Sequence, residues 1–282
     1  MEPSPSESSA GLDDDVRAAD AIEAAAFTDL YAAAPAALST QLGLQAVAID
    51  GAVALLAPRV PDAFFNRVIG LGEVSTPDAA ALARIIALYR DAGARSWWIH
   101  VSPYAGAEDL ERTLLEQGFA RPARRSWAKM VRGTEPAPGF ETSLDVREAA
   151  PAELGGMAAA ICEAYGMPAM FAPWFESVGQ RPTWRAFVAR VDDRVVGGGL
   201  LFLQDGSAWF GADGVLPAFR GRHAHRLLIA RRIEAALAAG CRRIYTETGE
   251  PIGDEANPSL ANMVRCGFRK VCSRMNYAAP AQ

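Results

Sequence analysis

One feature of the chain restricts its fold more than any other: a pattern that occurs twice. "LARIIALYRDAGARSWWIHVSP" and then "LERTLLEQGFARPARRSWAKMV" occupy residues 82–103 and 110–131. "IARRIEAALAAGCRRIYTETGE" and "LANMVRCGFRKVCSRMNYA" occupy 229–250 and 260–278. Each pair reads as a helix, a glycine stop, a strand, a polar loop, a short helix, Gly-Phe and a final strand. The stops are Gly93 and Gly118 in the first copy, 25 residues apart, and Gly240 and Gly267 in the second, 27 apart. A glycine just past a helix supplies the left-handed residue that ends it. Repeated helix-Gly-strand units are common to α/β chains, but the shared Gly-Phe and the matched intervals favour an internal duplication.

The 282 residues suffice for two domains of ordinary size. "VRGTEPAPGFETS", residues 131–143, is rich in Pro, Gly and Thr and reads as the joint. We expect a disordered tail over 1–15, a first domain over 16–132, a linker over 133–141 and a second domain over 142–282. The first fifteen residues are acidic and polar, unlike a secretory leader. In the second half, strands are expected at 142–149 and across "WRAFVARVDDRVVGGGLLFLQDGSAWFGADGVL", with Asp-Gly as the stronger turn signal. Hairpins followed by a strand-helix-strand crossover predict, in each half, a mixed and mostly antiparallel sheet flanked by helices: an α/β fold.

The net charge of -5 argues against nucleic acid as a partner. No apolar run is long enough to span a membrane. Cys162, Cys241, Cys266 and Cys272 form no CxxC, so neither a metal site nor a disulfide framework is implied, and reduced thiols fit a cytoplasmic protein. Basic residues are almost all arginine, which grips phosphate as a planar fork.

The segment "VLPAFRGRHAHRLLIARRI", residues 215–233, carries the chemistry. Leu228, Ile229, Ile233, Ala236 and Leu237 recur at helical spacing, which fixes the direction of the helix. Its first turn leaves backbone N–H groups without helical partners and adds the positive end of the dipole. Arg220, Arg222 and Arg226 stand nearby and Gly221 lets the backbone come close, so an anion is favoured there. A charged helix start on the surface is the plain alternative.

At this point the chain resembles the GCN5-related N-acetyltransferases, which carry Arg/Gln-x-x-Gly-x-Gly/Ala between the fourth strand and third helix of their domain. Arg220, Gly221, Arg222, His223, Ala224 and His225 stand at the matching positions. "NPSLANMVRCGF" is similar to the family's Asn-rich helix ending in Gly-Phe and places Ser259 and Asn262 where pantetheine contacts occur. The resemblance covers about residues 142–278. It implies acetyl-CoA as cosubstrate, no metal, and transfer of the acetyl group to the amine of a small molecule. In the first half "STPDAA" stands where the arginine-glycine turn belongs. That half is expected to be a degenerate copy that binds no coenzyme and serves as scaffold and a wall of the substrate cleft.

Two departures matter. Histidine replaces both glycines of the family pattern, at 223 and 225. The first position must be small if the backbone is to approach a phosphate, and a ring there turns aside only from an ordinary φ and ψ. Three readings stay open: the ring of His223 points away, it contacts a phosphate, or it blocks the site. By the resemblance, the thioester oxygen is met by a backbone N–H near Val215 or Leu216. Glu247 and Asp213 are the candidate bases, with pKa values raised by apolar walls. The family's acid position holds Met263, which cannot donate, and Tyr277 on the last strand is the candidate substitute. Tyr165, Met170, Phe171 and Trp174 are expected over the acceptor, which makes an amphipathic or aromatic amine the best guess; a plain core is the alternative. A non-catalytic binding module with an impaired coenzyme site is the rival function. The chain is expected to act as monomer or homodimer.

Overall fold

A computed structural model of the chain describes residues 5–73, 77–103, 106–122, 124, 126–141 and 143–280, with side chains from residue 13 onward. The first half runs α1 (Pro5–Ala32), α2 (Ala36–Leu42), β1 (Gln45–Ile49), β2 (Ala52–Leu56), β3 (Arg67–Ile69), α3 (Ala79–Ala92), β4 (Trp98–Val101), α4 (Ala107–Glu116) and β5 (Ser126–Arg132). The second runs β6 (Asp145–Glu148), α5 (Leu154–Tyr165), α6 (Ala172–Gly179), β7 (Trp184–Val191), β8 (Arg194–Gln204), β9 (Ser207–Val215), α7 (Ala224–Ala238), β10 (Arg243–Gly249), α8 (Pro258–Arg265) and β11 (Arg269–Ala278).

The four glycines that mark the repeat take φ between +76° and +83°, each just past its helix. The Asp205-Gly206 turn is left-handed at both residues and joins β8 to β9 as the sequence predicts. The element series β3-α3-β4-α4-β5 and β9-α7-β10-α8-β11 match, and β3·β4 and β9·β10 are the parallel pairs among the described strands.

The strands do not form two sheets. They form one mixed, mostly antiparallel sheet of eleven, in the order β1-β2-β3-β4-β11-β5-β10-β9-β8-β7-β6. The two final strands trade places. β11 pairs with β4 of the first half, Met275 opposite Val101 and Ala278 opposite Trp98. β5 pairs with β10 of the second, Ile244 opposite Arg132 and Gly249 opposite Trp127. β5 and β11 also pair with each other. The exchange corrects the expectation of separate sheets. Its physical reason is that each half ends on a strand needing a neighbour, and pairing across leaves no open edge at the centre.

Helix α1 corrects the expected tail as well, of which residues 1–4 lie outside the described residues. The helix begins at Pro5, and its apolar residues Val16, Ala19, Ile22, Phe27 and Leu30 are buried against strands of both halves. Asp15 is itself buried and pairs with Arg269 of β11. Farther along, Asp29 accepts two bonds of 2.6 Å from Arg181 and one of 2.7 Å from the Trp184 indole.

Between these ends α1 presents Asp20 and Glu23, both buried, to Arg67 of β3, Lys129 of β5 and Arg274 of β11. Glu247 of β10 completes the cluster, 2.5 Å from Arg274, 3.4 Å from Arg67 and 3.6 Å from Lys129. Three cations face three carboxylates, so the buried charge balances. Burial alone would raise the Glu23 pKa, but Arg274, Lys129 and Arg67 overcome it and hold the carboxyl far below its ordinary range.

Candidate active site

β9 and β10 run parallel from Ser207 opposite Arg243 to Phe210 opposite Thr246, and then part. The cause lies in "GADGV". The register of β9 against β8 slips between Gly198 and Leu200, and Ala212 takes φ +46°. A bulge of this kind bends its strand and ends pairing on the far side. A side chain at Gly211 would overlap the ring of Trp209, and one at Gly214 would meet Ala164 of α5, so both glycines are sterically required.

Past the bulge Gly197 stands opposite Val215, and the Leu216 N–H donates to the Val196 carbonyl at 2.9 Å. Leu216 is therefore spent on the sheet. The alternation of an antiparallel ladder turns the Val215 N–H the other way, toward the space that β10 has left. Of the two amides expected for the thioester oxygen, Val215 is the one aimed at the gap.

The chain then makes a 3-10 turn, Pro217–Phe219, and reaches Gly221 at φ +80° and His223 at φ +60° before α7 starts. Leu227 N–H closes the first ladder bond, on His223 O at 3.0 Å, so the amides of Ala224, His225 and Arg226 enter α7 without helical partners. The His223 backbone is thus left-handed, as a glycine's would be. Its ring nevertheless lies aside, with Nδ1 3.2 Å from the Glu141 carbonyl. The expectation that a turned-away ring needs an ordinary φ is not met: the ring and the strained backbone coexist. Histidine is among the residue types that tolerate this region.

The other residues of the turn are engaged in the protein. Arg220 donates to the Val215 and Ala164 carbonyls, at 3.1 and 3.3 Å, and braces β9 against α5. Arg222 lies 5.5 Å over the Phe219 ring, and Ala224 is buried. Arg226 Nε donates to Asn262 Oδ1 at 2.9 Å, and Asn262 Nδ2 donates to His225 Nδ1 at 2.9 Å. That order fixes the tautomer: Nδ1 accepts, and Nε2–H donates to Asp213 at 3.2 Å. Asn262, expected to face pantetheine, instead bridges α7 and α8.

Asp213 receives His225 on one side and the buried Arg232 on the other. Burial by itself would raise its pKa; Arg232 and His225 prevail and hold it well below 3.8. The expectation of a base raised toward neutrality is corrected: Asp213 is a fixed charge. The glycine run 197–199 makes room for this arrangement, since a side chain at Gly199 would crowd both Arg232 and Asp213.

Where β9 and β10 part, a cavity of about 620 Å³ opens. Gly211, Ala212, Asp213, Glu247 and Gly249 form its floor, and Asn257 and Ser259 of α8 stand at its edge. Phe27, Tyr31, Phe64 and Trp127 of the first half line it together with Tyr165, Phe175 and Trp209 of the second, and the Phe27 and Trp209 rings meet edge to face with centroids 5.2 Å apart. Both halves therefore line it, as a cleft between two copies requires.

Tyr165 is placed on the cavity, as expected, and is half exposed. Phe171 and Trp174 are not: they pack on Phe65 and Tyr31 in the core, and the Trp174 indole donates to the Leu30 carbonyl at 2.6 Å. Met170 is exposed and away from the lining. Tyr277 is corrected too. On β11 opposite Ile99 it is fully buried among α3 and α4 residues, and its hydroxyl accepts from Arg121 at 3.2 Å. The strand exchange carries it out of reach of the second half's coenzyme side.

The reading from sequence missed the first-half lining residues, above all Arg124, Asp62 and Phe64. No local signal could reveal them, because they reach the cavity through a strand order that joins distant segments. The other copy is built differently at the matching place. Asp78 caps α3, its side chain accepting from Ala81 N–H at 2.7 Å, so a carboxylate sits where the second half has arginines. Among the described residues no group of three or more His, Cys, Asp or Glu side chains is placed to hold a metal ion, and none of the described helices is long and apolar enough to cross a membrane.

Residues 154–268 match the Acetyltransferase (GNAT) family. The second half of the chain thus carries an acetyltransferase (GNAT) domain. No curated protein sequence matches the chain. Among solved structures, a GCN5-related N-acetyltransferase from Kribbella flavida superposes with TM-score 0.62 at 18% identity, over 94% of this chain and 96% of that one. One from Sphaerobacter thermophilus gives 0.60 at 17%, over 82% of each. A tandem GNAT protein from the clavulanic acid biosynthesis pathway gives 0.60 at 16%, over 82% of this chain and 79% of that one. At these identities the likeness is one of fold.

Proposed function

We propose that the second half binds acetyl-CoA and passes its acetyl group to the amine of a small amphipathic or aromatic molecule. The reading rests on one observation. The parting of β9 and β10 that opens a cavity walled by aromatic rings is followed directly in the chain by an arginine-bearing turn with unpaired helix amides. Coenzyme phosphates suit that turn. The residues that would hold them are Gly221, Arg222, His223, Ala224 and His225 through their backbone, with Arg220 and Ser259 at the flanks.

When bound, the coenzyme supplies the thioester. The Val215 N–H then meets the negative charge that grows on the carbonyl oxygen. The acceptor amine must attack as the free base, and its proton leaves through water: Glu247 at the end of β10, expected as a base among apolar walls, is instead held by Arg274, Arg67 and Lys129 and offers a fixed charge. Asp213, tied to Arg232 and His225, contributes charge rather than proton transfer. With Tyr277 in the other half's core and Met263 buried, no side-chain acid is assigned, and a thiol of pKa ~8.5 leaves as thiolate without one.

The first half carries no coenzyme in this reading and supplies a wall of the acceptor cavity. The four cysteines are unpaired, which suits a cytoplasmic location. A non-catalytic binding module is favoured by the Arg226–Asn262–His225 bridge, which must yield if pantetheine is to pass between α7 and α8. Calorimetric titration with acetyl-CoA, followed by thiol release with a panel of amines, decides between them. Binding with release supports the transferase. Binding without release supports the module, and no binding at millimolar coenzyme removes both.

A further inference from the structure

The cavity holds one cation whose pairing differs from every other guanidinium near it. Arg67 and Arg274, just behind the floor, are buried and paired with carboxylates. Arg124 lines the cavity itself and has no carboxylate partner among the described residues; its Nη1 donates only to the Glu250 main-chain carbonyl, at 3.3 Å. Its position is nonetheless built. Asn276, fully buried, donates to the Arg124 carbonyl at 2.9 Å. The guanidinium lies 5.9 Å from the Trp127 ring centroid and directly over Gly249, where any side chain would overlap it. A glycine at the end of a strand thereby clears space for a charge that nothing in the described protein neutralises.

We infer that Arg124 is a specificity-determining residue that holds a carboxylate of the acceptor, and that the acceptor is a free amino acid with an apolar or aromatic side chain. This rests on the acetyl-transfer reading above and names its substrate class. Glu247 and Gly249 are two residues apart on β10 and face the same side, a step of ~7 Å. A carboxylate held over Gly249 is therefore within a few bonds of a nitrogen poised above the parted strands. Planar guanidinium matches carboxylate in two parallel bonds. The rings of Phe27, Phe64, Trp127 and Trp209 receive the side chain. The carboxylates of Asp62 and Glu255, at the same cavity and without an ion-pair partner among the described residues, complement the ammonium form on entry.

The test uses the full chain with phenylalanine, its amide and phenethylamine, which share a ring and an amine and differ in the carboxylate. Binding is measured by calorimetry with and without coenzyme A, and thiol release from acetyl-CoA is measured separately. For the unaltered chain we expect phenylalanine to bind about 10- to 100-fold more tightly than the other two, the range of a charge-assisted pair. Arg124→Gln is expected to erase that difference without changing phenethylamine binding, and Arg124→Lys to restore part of it. Equal binding of the three ligands, an equal loss of all three in Arg124→Gln, or no binding at millimolar concentration would overturn the inference. Arg124-dependent phenylalanine binding with no thiol release would remove the transferase reading and leave the anchor standing. Release with phenethylamine as fast as with phenylalanine would remove the anchor and leave the transferase.

Discussion

His223 offers a perturbation whose sign can be worked out from its backbone alone. A residue with a Cβ pays roughly 1–2 kcal/mol in the left-handed region, and histidine falls toward the low end of that range. Glycine at 223 removes this strain but gains unfolded-state freedom worth about 0.5–1 kcal/mol. It also loses the exposed contact of Nδ1 with the Glu141 carbonyl. These terms nearly cancel, so His223→Gly should unfold within about 1 kcal/mol of the unaltered chain. A β-branched residue cannot relax at φ +60°. His223→Val should therefore lose about 2 kcal/mol, a fall of roughly 4–8 °C in Tm for a chain of this size. Thermal unfolding of the three proteins is the assay, with the order His and Gly together, Val well below. The same variants bear on the anion site. Because the ring already lies against Glu141, His223→Gly should change coenzyme A affinity by no more than about twofold, about 0.4 kcal/mol. A valine variant as stable as the glycine one would refute the left-handed backbone; a tenfold gain in affinity for His223→Gly would show the ring in the coenzyme's way.

Two further outcomes follow from the buried charges. Glu23→Gln leaves Arg67, Lys129 and Arg274 facing only Asp20 and Glu247, and breaking a buried pair in this way costs about 3–5 kcal/mol; urea unfolding at neutral pH should show a midpoint lowered to match, and an unchanged midpoint would mean that the cluster is hydrated. Asp213 has its folded pKa depressed, so the stability it lends is complete above its ordinary 3.8 and is lost as pH falls below that value. The deficit of Asp213→Asn should therefore be largest near neutrality and shrink below about pH 4, whereas a constant deficit down to pH 3 would contradict the ion pair with Arg232 and the hydrogen bond from His225.

Local features were the ones legible in the sequence. Gly93, Gly118, Gly240 and Gly267 mark helix ends because a left-handed residue is a local need, and the arginine-glycine turn marks a helix start for the same reason. Gly211 and Gly214 are local in the same sense, since the side chains that forbid a Cβ there are those of Trp209, two residues away, and Ala164 of the packed helix. What lay beyond reach was set by distance along the chain. Phe171 and Trp174 look like pocket residues by type, but their rings are claimed by Tyr31 and Phe65 of the other half. Asp213 looks like a base in an apolar setting until Arg232 and His225 of α7 are brought beside it. Tyr277 is assigned to one half by sequence and to the other by pairing, because a strand's neighbours are not encoded in the strand.

That last point bears on how the molecule comes into being. A chain leaving the ribosome usually completes its first unit before the second is made. Here β4 must wait for residues 269–278 before its far side is paired, and β5 waits for β10. Until then the earlier half holds unpaired backbone that invites wrong partners. Cutting the chain at the 133–141 joint would yield no self-sufficient piece, for each fragment would carry away the strand that the other lacks.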